Sequence, residues 1–255
     1  MSSDVVLTEV SGSTLVITIN RPEARNSFNR ATAEAMAAAL DRLDGDAELA
    51  VGVITGAGKG FSAGMDLKAF AEGEFPVAEG RGFGGIAQRG ARKPLIAAVE
   101  GFALAGGLEA ALACDLIVAG RGARLGIPEA GVGLFAAAGG LLRLPRRIGL
   151  GQSMLLALTA QPVDAEEGFR IGLVDRLVDA GQALPAALEL AGVIGANAPL
   201  ALRASKQVLI EGFARSEEDF WEWQATISPE VFASKDGLEG ARAFAEKRKP
   251  RWQGA

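Results

Sequence analysis

The chain has 255 residues, 49% of them hydrophobic, and 26 Lys and Arg against 31 Asp and Glu, giving a formal charge of −5. That is enough apolar material for one large domain, and with no basic run longer than Lys247-Arg248-Lys249 it disfavours a nucleic-acid partner. The absence of histidine and tyrosine, with Cys114 as the single cysteine, excludes Ser-His-Asp and Cys-His catalysis, histidine metal sites and internal disulfides, and leaves proton transfer to Glu, Asp, Lys, Cys or water.

In chain order, residues 5–8 and 14–20 read as a hairpin-like pair of strands. Leu15, Ile17 and Ile19 alternate with Val16, Thr18 and Asn20, and Arg21-Pro22 ends the run. Ala33, Met36, Leu40 and Leu43 at helical spacing predict a helix over 30–43. Residues 51–55 form the next predicted strand, closed by Gly56-Ala57-Gly58. The apolar runs 94–99 and 116–118 have the character of buried strands, and the stretch 107–114 between them is helical in pattern; strands separated by helices imply crossover connections. Beyond Gly149 the pattern becomes helical through 152–158, 165–171, 183–195, 199–213, 217–227 and 238–247. The uncharged stretches 130–142 and 148–163 contain glycine and fall short of the roughly 20 apolar residues of a bilayer span. Asp4 and Glu9, with no Lys or Arg before Arg21, lack the basic start of a signal peptide. A soluble, cytoplasmic protein is the expectation.

Glycine is abundant, 34 residues, or about twice the ~7% average, and clusters over 56–64, 80–90, 101–107 and 131–140. Tight turns account for most of these. Gly106-Gly107 differs, because it follows a predicted strand and opens an apolar helix whose first N–H groups have no partner within the helix and attract developing negative charge. A second N–H from the loop Ala63-Gly64-Met65 would complete an oxyanion hole for a carbonyl becoming an enolate. Glu109 stands on the first turn of that helix among Leu108, Ala110 and Ala111, and Glu129 stands alone between Leu125-Gly126-Ile127-Pro128 and Ala130-Gly131-Val132. Apolar surroundings raise a carboxyl pKa toward neutrality, as general acid/base catalysis requires. The competing reading is a dipole-stabilised helix glutamate and an unrelated loop glutamate; their separation of 129 − 109 = 20 residues is compatible with either.

Three blocks, Phe61-Ser62-Ala63-Gly64-Met65-Asp66-Leu67, Ala105-Gly106-Gly107-Leu108-Glu109 and Gly126-Ile127-Pro128-Glu129, resemble the signatures of the crotonase (enoyl-CoA hydratase/isomerase) superfamily. The resemblance runs from Asn20-Arg21-Pro22 to Phe244-Ala245-Glu246-Lys247-Arg248-Lys249-Pro250. It implies an α/β fold, a crotonase-like spiral of ββα units over 1–195 with a helical C-terminal trimerisation region over 196–255, assembling as a homotrimer or hexamer. It also implies an acyl-CoA substrate, with CoA belonging to the substrate and no separate cofactor or metal. By position, the N–H groups of Met65 and Gly106 would hold the thioester oxygen, Glu109 and Glu129 would be catalytic, and Ala24, Ala63, Asp66, Leu67 and Lys68 would bind substrate. Lys247 and its neighbours would reach CoA phosphates.

Possession of both glutamates favours hydration or dehydration of a 2-enoyl-CoA over a double-bond shift. Enoyl-CoA isomerisation, other enolate chemistry, and a non-catalytic or RNA-binding scaffold on the same fold are the alternatives. Short loop matches, among them Ala71-Glu72-Gly73-Glu74 and Pro250-x-Trp252, are similar to the carnitinyl-CoA dehydratase subgroup. Three positions depart from the family pattern. Met65 stands where a small alanine is common, Ala105 replaces the first of three glycines, and Phe135-Ala136-Ala137-Ala138 replaces a Pro-Gly-Ala motif. Of these, Ala137 is expected to be the most consequential, because glycine there permits backbone angles that alanine avoids.

Overall fold

The computed structural model describes residues 4–254. The chain begins with the strands β1 (Val6–Ser11) and β2 (Thr14–Ile19), antiparallel about a turn at Gly12, followed by a 3-10 turn at Pro22–Ala24 and helix α1 (Arg30–Gly45). Asn29 caps α1 by accepting from the Thr32 N–H, and Met36, Leu40 and Leu43 lie on its buried face. Next come β3 (Val51–Gly56), the short helix α2 (Leu67–Ala71), the two-residue strands β4 (Val77–Ala78) and β5 (Gly82–Phe83), β6 (Leu95–Val99), β7 (Phe102–Leu104) and α3 (Gly106–Leu112). The chain continues through β8 (Leu116–Gly120), β9 (Arg124–Gly126), a 3-10 turn at Pro128–Val132, and α4 (Gly140–Thr159), which is kinked at Gly149. It ends with β10 (Val163–Asp164), α5 (Ala165–Arg170), β11 (Arg176–Val178) and four helices, α6 (Ala183–Gly195), α7 (Pro199–Gly212), α8 (Glu217–Phe232) and α9 (Lys235–Ala245).

Six strands form the main sheet in the order β1-β2-β3-β6-β8-β11, parallel from β2 onward. A smaller sheet has the order β10-β9-β7. The path β6–β7–α3 therefore leaves the main sheet, adds a strand to the small one and returns through a helix, and β8–β9–α4 repeats it. Isolated bridges Ser62–Ala103 and Phe28–Met65 continue the small layer toward earlier turns. This is the ββα spiral implied by the family resemblance.

Both faces of the main sheet are covered, as a parallel sheet requires. Leu15, Ile17, Ile54, Leu95, Ala97 and Ile117 pack toward α1, α3 and the small sheet. Val51, Val53, Ile96, Ala98 and Val118 pack against the stripe Ala183, Ala187 and Ala191 of α6, whose small side chains let the helix lie close. Helices α7 to α9 form an outer layer, with Ser234, Asp236 and Ala243 their only buried residues among those described. The layer is joined to the core by Lys206, whose Nζ lies 2.7 Å from Asp115 and donates to the Lys93 carbonyl.

Most predicted elements appear within a few residues of their expected ends. The helix expected over 152–158 is only the distal part of α4, which starts twelve residues earlier; Arg143, Arg146 and Arg147 interrupt the apolar pattern there, and Pro145 reads as a breaker. The strands β7, β9, β10 and β11 are two or three residues long, too short for any period to show.

Candidate active site

The segment 61–65 is stitched to β7, with Phe61 donating to the Phe102 carbonyl at 2.9 Å and Leu104 to the Ser62 carbonyl at 3.0 Å. Phe28 donates to the Gly64 carbonyl at 2.7 Å, and Asp66 donates to the Phe28 carbonyl at 2.9 Å. These bonds bring Gly64 against the N-terminus of α3. A Cβ built on Gly64 would lie 2.8 Å from the Gly106 nitrogen and 2.9 Å from the Ala105 Cβ, and φ at Gly64 is +96°. Glycine is required here by close approach and by backbone angle together. The Met65 N–H has no acceptor among the described residues, and the Gly106 N–H, first in α3, has none within its helix. Two free donors thus lie on adjoining segments.

Around this junction, Ala63 donates to the Arg25 carbonyl at 3.0 Å, which sets the half-buried Ala24 beside the half-buried Ala63 and Met65. Leu67 and Lys68 continue outward on the exposed start of α2. The Asp66 carboxylate is engaged within the protein. It pairs with Arg21 at 2.9 Å and caps α2 by accepting from the Lys68 and Ala69 N–H groups. Its role in a substrate surface would therefore be to hold the loop. The Phe83 ring lies where a side chain on Gly106 would be, forming a wall of the junction that the sequence did not reveal.

Glu109, on the first turn of α3, is 3% exposed. Its Oε1 accepts from the Ala138 N–H at 2.7 Å and from the Gly140 N–H at 2.9 Å. The second donor is the first residue of α4, so the carboxylate sits at a helix N-terminus, a favourable place for an anion. Burial pushes its pKa up, against the two N–H groups and the nearby Arg143 guanidinium. Glu129 lies in the turn Pro128–Val132, and its Oε2 is buried without a hydrogen-bond partner. Burial pushes Glu129 up to about 7; its own N–H opposes the shift and the Glu109 charge adds to it. The two glutamates are therefore close enough to sense each other. One holds a fixed oxygen and has the other to offer a water, while the second has an unpaired oxygen and a pKa suited to carrying a proton near neutrality.

The departures from the family pattern behave differently from expectation. Ala137 keeps a negative φ, so alanine is accommodated there without strain. The strain is at Ala105, where φ is 51° and ψ is −132°, a region nearly confined to glycine. Arg143 and the Ala138 and Gly140 N–H groups were not identified as site residues from the sequence. A cation in the first turn of a helix, where the dipole disfavours it, would have been a signal, but the expected helix began only at 152 and left Arg143 outside it. A cavity of about 1120 Å³ lies between α3–α4 and α7–α8, and neither glutamate lines it.

A family described as Enoyl-CoA hydratase/isomerase matches residues 9–255. The sequence is 38% identical over 256 residues to the short-chain-enoyl-CoA hydratase of Clostridium acetobutylicum, covering 98% of this chain and 97% of that one. It is 42% identical over 265 residues to the carnitinyl-CoA dehydratase of Salmonella enteritidis, covering 100% of both. The structure superposes on that of an enoyl-CoA hydratase from Mycobacterium tuberculosis with a TM-score of 0.97 and 52% identity, covering 99% of this chain and 100% of that chain.

Proposed function

As the chain belongs to the enoyl-CoA hydratase/isomerase family, we propose that it adds or removes water across the C2–C3 bond of a 2-enoyl-CoA thioester with Glu109 and Glu129 as the acid/base pair. The thioester oxygen sits between the Met65 and Gly106 N–H groups, which stabilise the enolate that forms as C3 is attacked. Glu109, ionised and fixed through Oε1, orients a water and takes its proton while the oxygen bonds to C3. Glu129, protonated, delivers a proton to C2. The pair ends with its protons reversed and solvent restores it.

The observation that carries this reading is the unpaired, buried Oε2 of Glu129 beside a Glu109 held by two N–H groups. A double-bond shift needs one carboxyl to move a proton and gives no reason to fix a second. Ala24, Ala63 and the segment 65–68 form the strip along which the CoA portion lies, with Lys247 contributing at its phosphate end. The protein would work in the cytoplasm as a homotrimer or a pair of trimers, residues 1–195 carrying the site and 196–255 the assembly surface.

The test is loss of the enoyl-thioester absorbance with crotonyl-CoA and crotonobetainyl-CoA for wild type, Glu109→Gln and Glu129→Gln. Each variant should lose about 10²–10⁴-fold in kcat with whichever of the two substrates the wild type hydrates. Full activity in either variant, or no hydration by folded wild type, would overturn the assignment.

A further inference from the structure

Arg143 stands in the first turn of α4, where the helix dipole disfavours a cation. What holds it there is a set of three interactions from separate parts of the chain. Its Nη2 donates to the Ala87 carbonyl at 2.6 Å, its Nη1 donates to the Ala138 carbonyl at 3.3 Å, and its charge faces the Glu109 carboxylate. The Ala138 peptide is thus held at both ends, its carbonyl accepting from Arg143 and its N–H donating to Glu109 Oε1. Gly139, at φ +95°, turns the chain between the two N–H groups that grip Glu109, and a side chain there would run into the Arg143 guanidinium.

We propose that Arg143 is a positioning residue for water addition: it clamps the 138–140 turn to Ala87 and so fixes the Glu109 carboxylate toward the reacting water. The inference rests on the reading of Glu109 as the water-holding group. Ala87 lies on the same stretch as Phe83, whose ring abuts Gly106, so one side chain couples the wall of the oxyanion junction to the turn that aims the base. A planar guanidinium with several donors can hold two carbonyls on different segments at once, which an ammonium cannot do in the same geometry. Around it, Glu109 of α3, Cys114 just past the end of α3 and Arg146 of its own helix are the other titratable or charged groups that face Arg143, and Glu129 faces Glu109 from the Pro128–Val132 turn.

The experiment is a double-mutant cycle on crotonyl-CoA hydration with Arg143→Gln, Arg143→Lys, Glu109→Gln and the double variant Arg143→Gln/Glu109→Gln, each checked for native circular dichroism. Arg143→Gln should lower kcat about 10²-fold, the scale of a misplaced catalytic group, with KM changed less than about threefold on the same argument. Its acid limb should move to higher pH, because Glu109 loses the cation that favours its ionised form. Arg143→Lys, keeping the charge, should restore the limb and part of kcat. The double variant should be no slower than Glu109→Gln alone, within about threefold, since Arg143 acts through that carboxylate. Multiplying losses in the double variant, or Arg143→Gln at wild-type rate and pH profile, would overturn the inference while leaving an active wild type and the functional reading intact. Absence of hydration by wild type would overturn both.

Discussion

Glu109 and Glu129 are the same residue type in similarly apolar sequence, yet the fold treats their oxygens differently. Glu109 Oε1 accepts two backbone N–H groups, whereas Glu129 Oε2 is buried and accepts none. For Glu129 the pKa of about 7 sets an alkaline limb under the proposed mechanism. Hydration needs Glu129 protonated, to deliver to C2, and Glu109 ionised, so the rate falls about tenfold per unit as pH rises above about 7. Dehydration of a 3-hydroxyacyl-CoA needs the same single proton on Glu109 instead, and the overall reaction neither takes up nor releases a proton, so kcat/KM should fall on the same limb in both directions. Glu129→Asp should move that limb in both. A profile with no limb near neutrality, or a limb that Glu129→Asp leaves in place, would assign the titration to another group. The glutamates could be found from the sequence because their neighbours are apolar and their place beside glycines is local. Arg143 could not, because its partners are the carbonyls of Ala87 and Ala138, and a backbone carbonyl leaves no mark on the sequence.

At the scale of elements, the N-terminus of α3 is set by a backbone turn that its own sequence opposes. Ala105 donates to the Gly126 carbonyl at 2.9 Å, and its own carbonyl accepts from the Glu109 N–H at 3.1 Å. Held at both ends, it stays at φ 51° and ψ −132°. Such a conformation costs alanine about 1–3 kcal/mol, and glycine would remove most of that while losing about 0.5–1 kcal/mol to its greater freedom when unfolded. Ala105→Gly should therefore raise the melting temperature by about 2–4 °C for a net gain near 1 kcal/mol, read by differential scanning calorimetry. A lower melting temperature would mean that the alanine methyl contributes packing at the Gly64 contact in excess of the strain. The helix α3 was legible because its apolar run is broken only by Glu109. The strands beside it, β7 and β9, were not, since each pairs over three residues with a partner more than twenty positions away, and only the closed spiral gives them a ladder.

The whole molecule shows one sheet covered on both faces and an outer helical layer that is not covered. The main sheet satisfies its two sides with α1 and α3 on one and the alanine stripe of α6 on the other, and the sequence carried that order as strand-like and helix-like runs in alternation. The layer α7–α9 was equally legible as helices, but amphipathic spacing states which residues share a face and not which molecule covers it. In this chain the face is left open. Leu209, Phe213, Phe232 and Phe244 are 75%, 66%, 78% and 87% exposed, and fully burying each contributes about 1.5–3 kcal/mol. In the proposed assembly this surface would be covered by further copies of the same chain, repeated around a closed symmetry axis. Light scattering should then give three times the 26.3 kDa chain mass, about 79 kDa, or twice that for paired trimers. Phe232→Asp with Phe244→Asp places two charges per chain in the proposed contact surface, and should shift the mass toward 26.3 kDa while the far-ultraviolet circular dichroism keeps its helical shape. A wild type that elutes as a monomer at micromolar concentration would show that the layer closes on nothing, and would remove the assembly from the functional reading while leaving the two glutamates where they are.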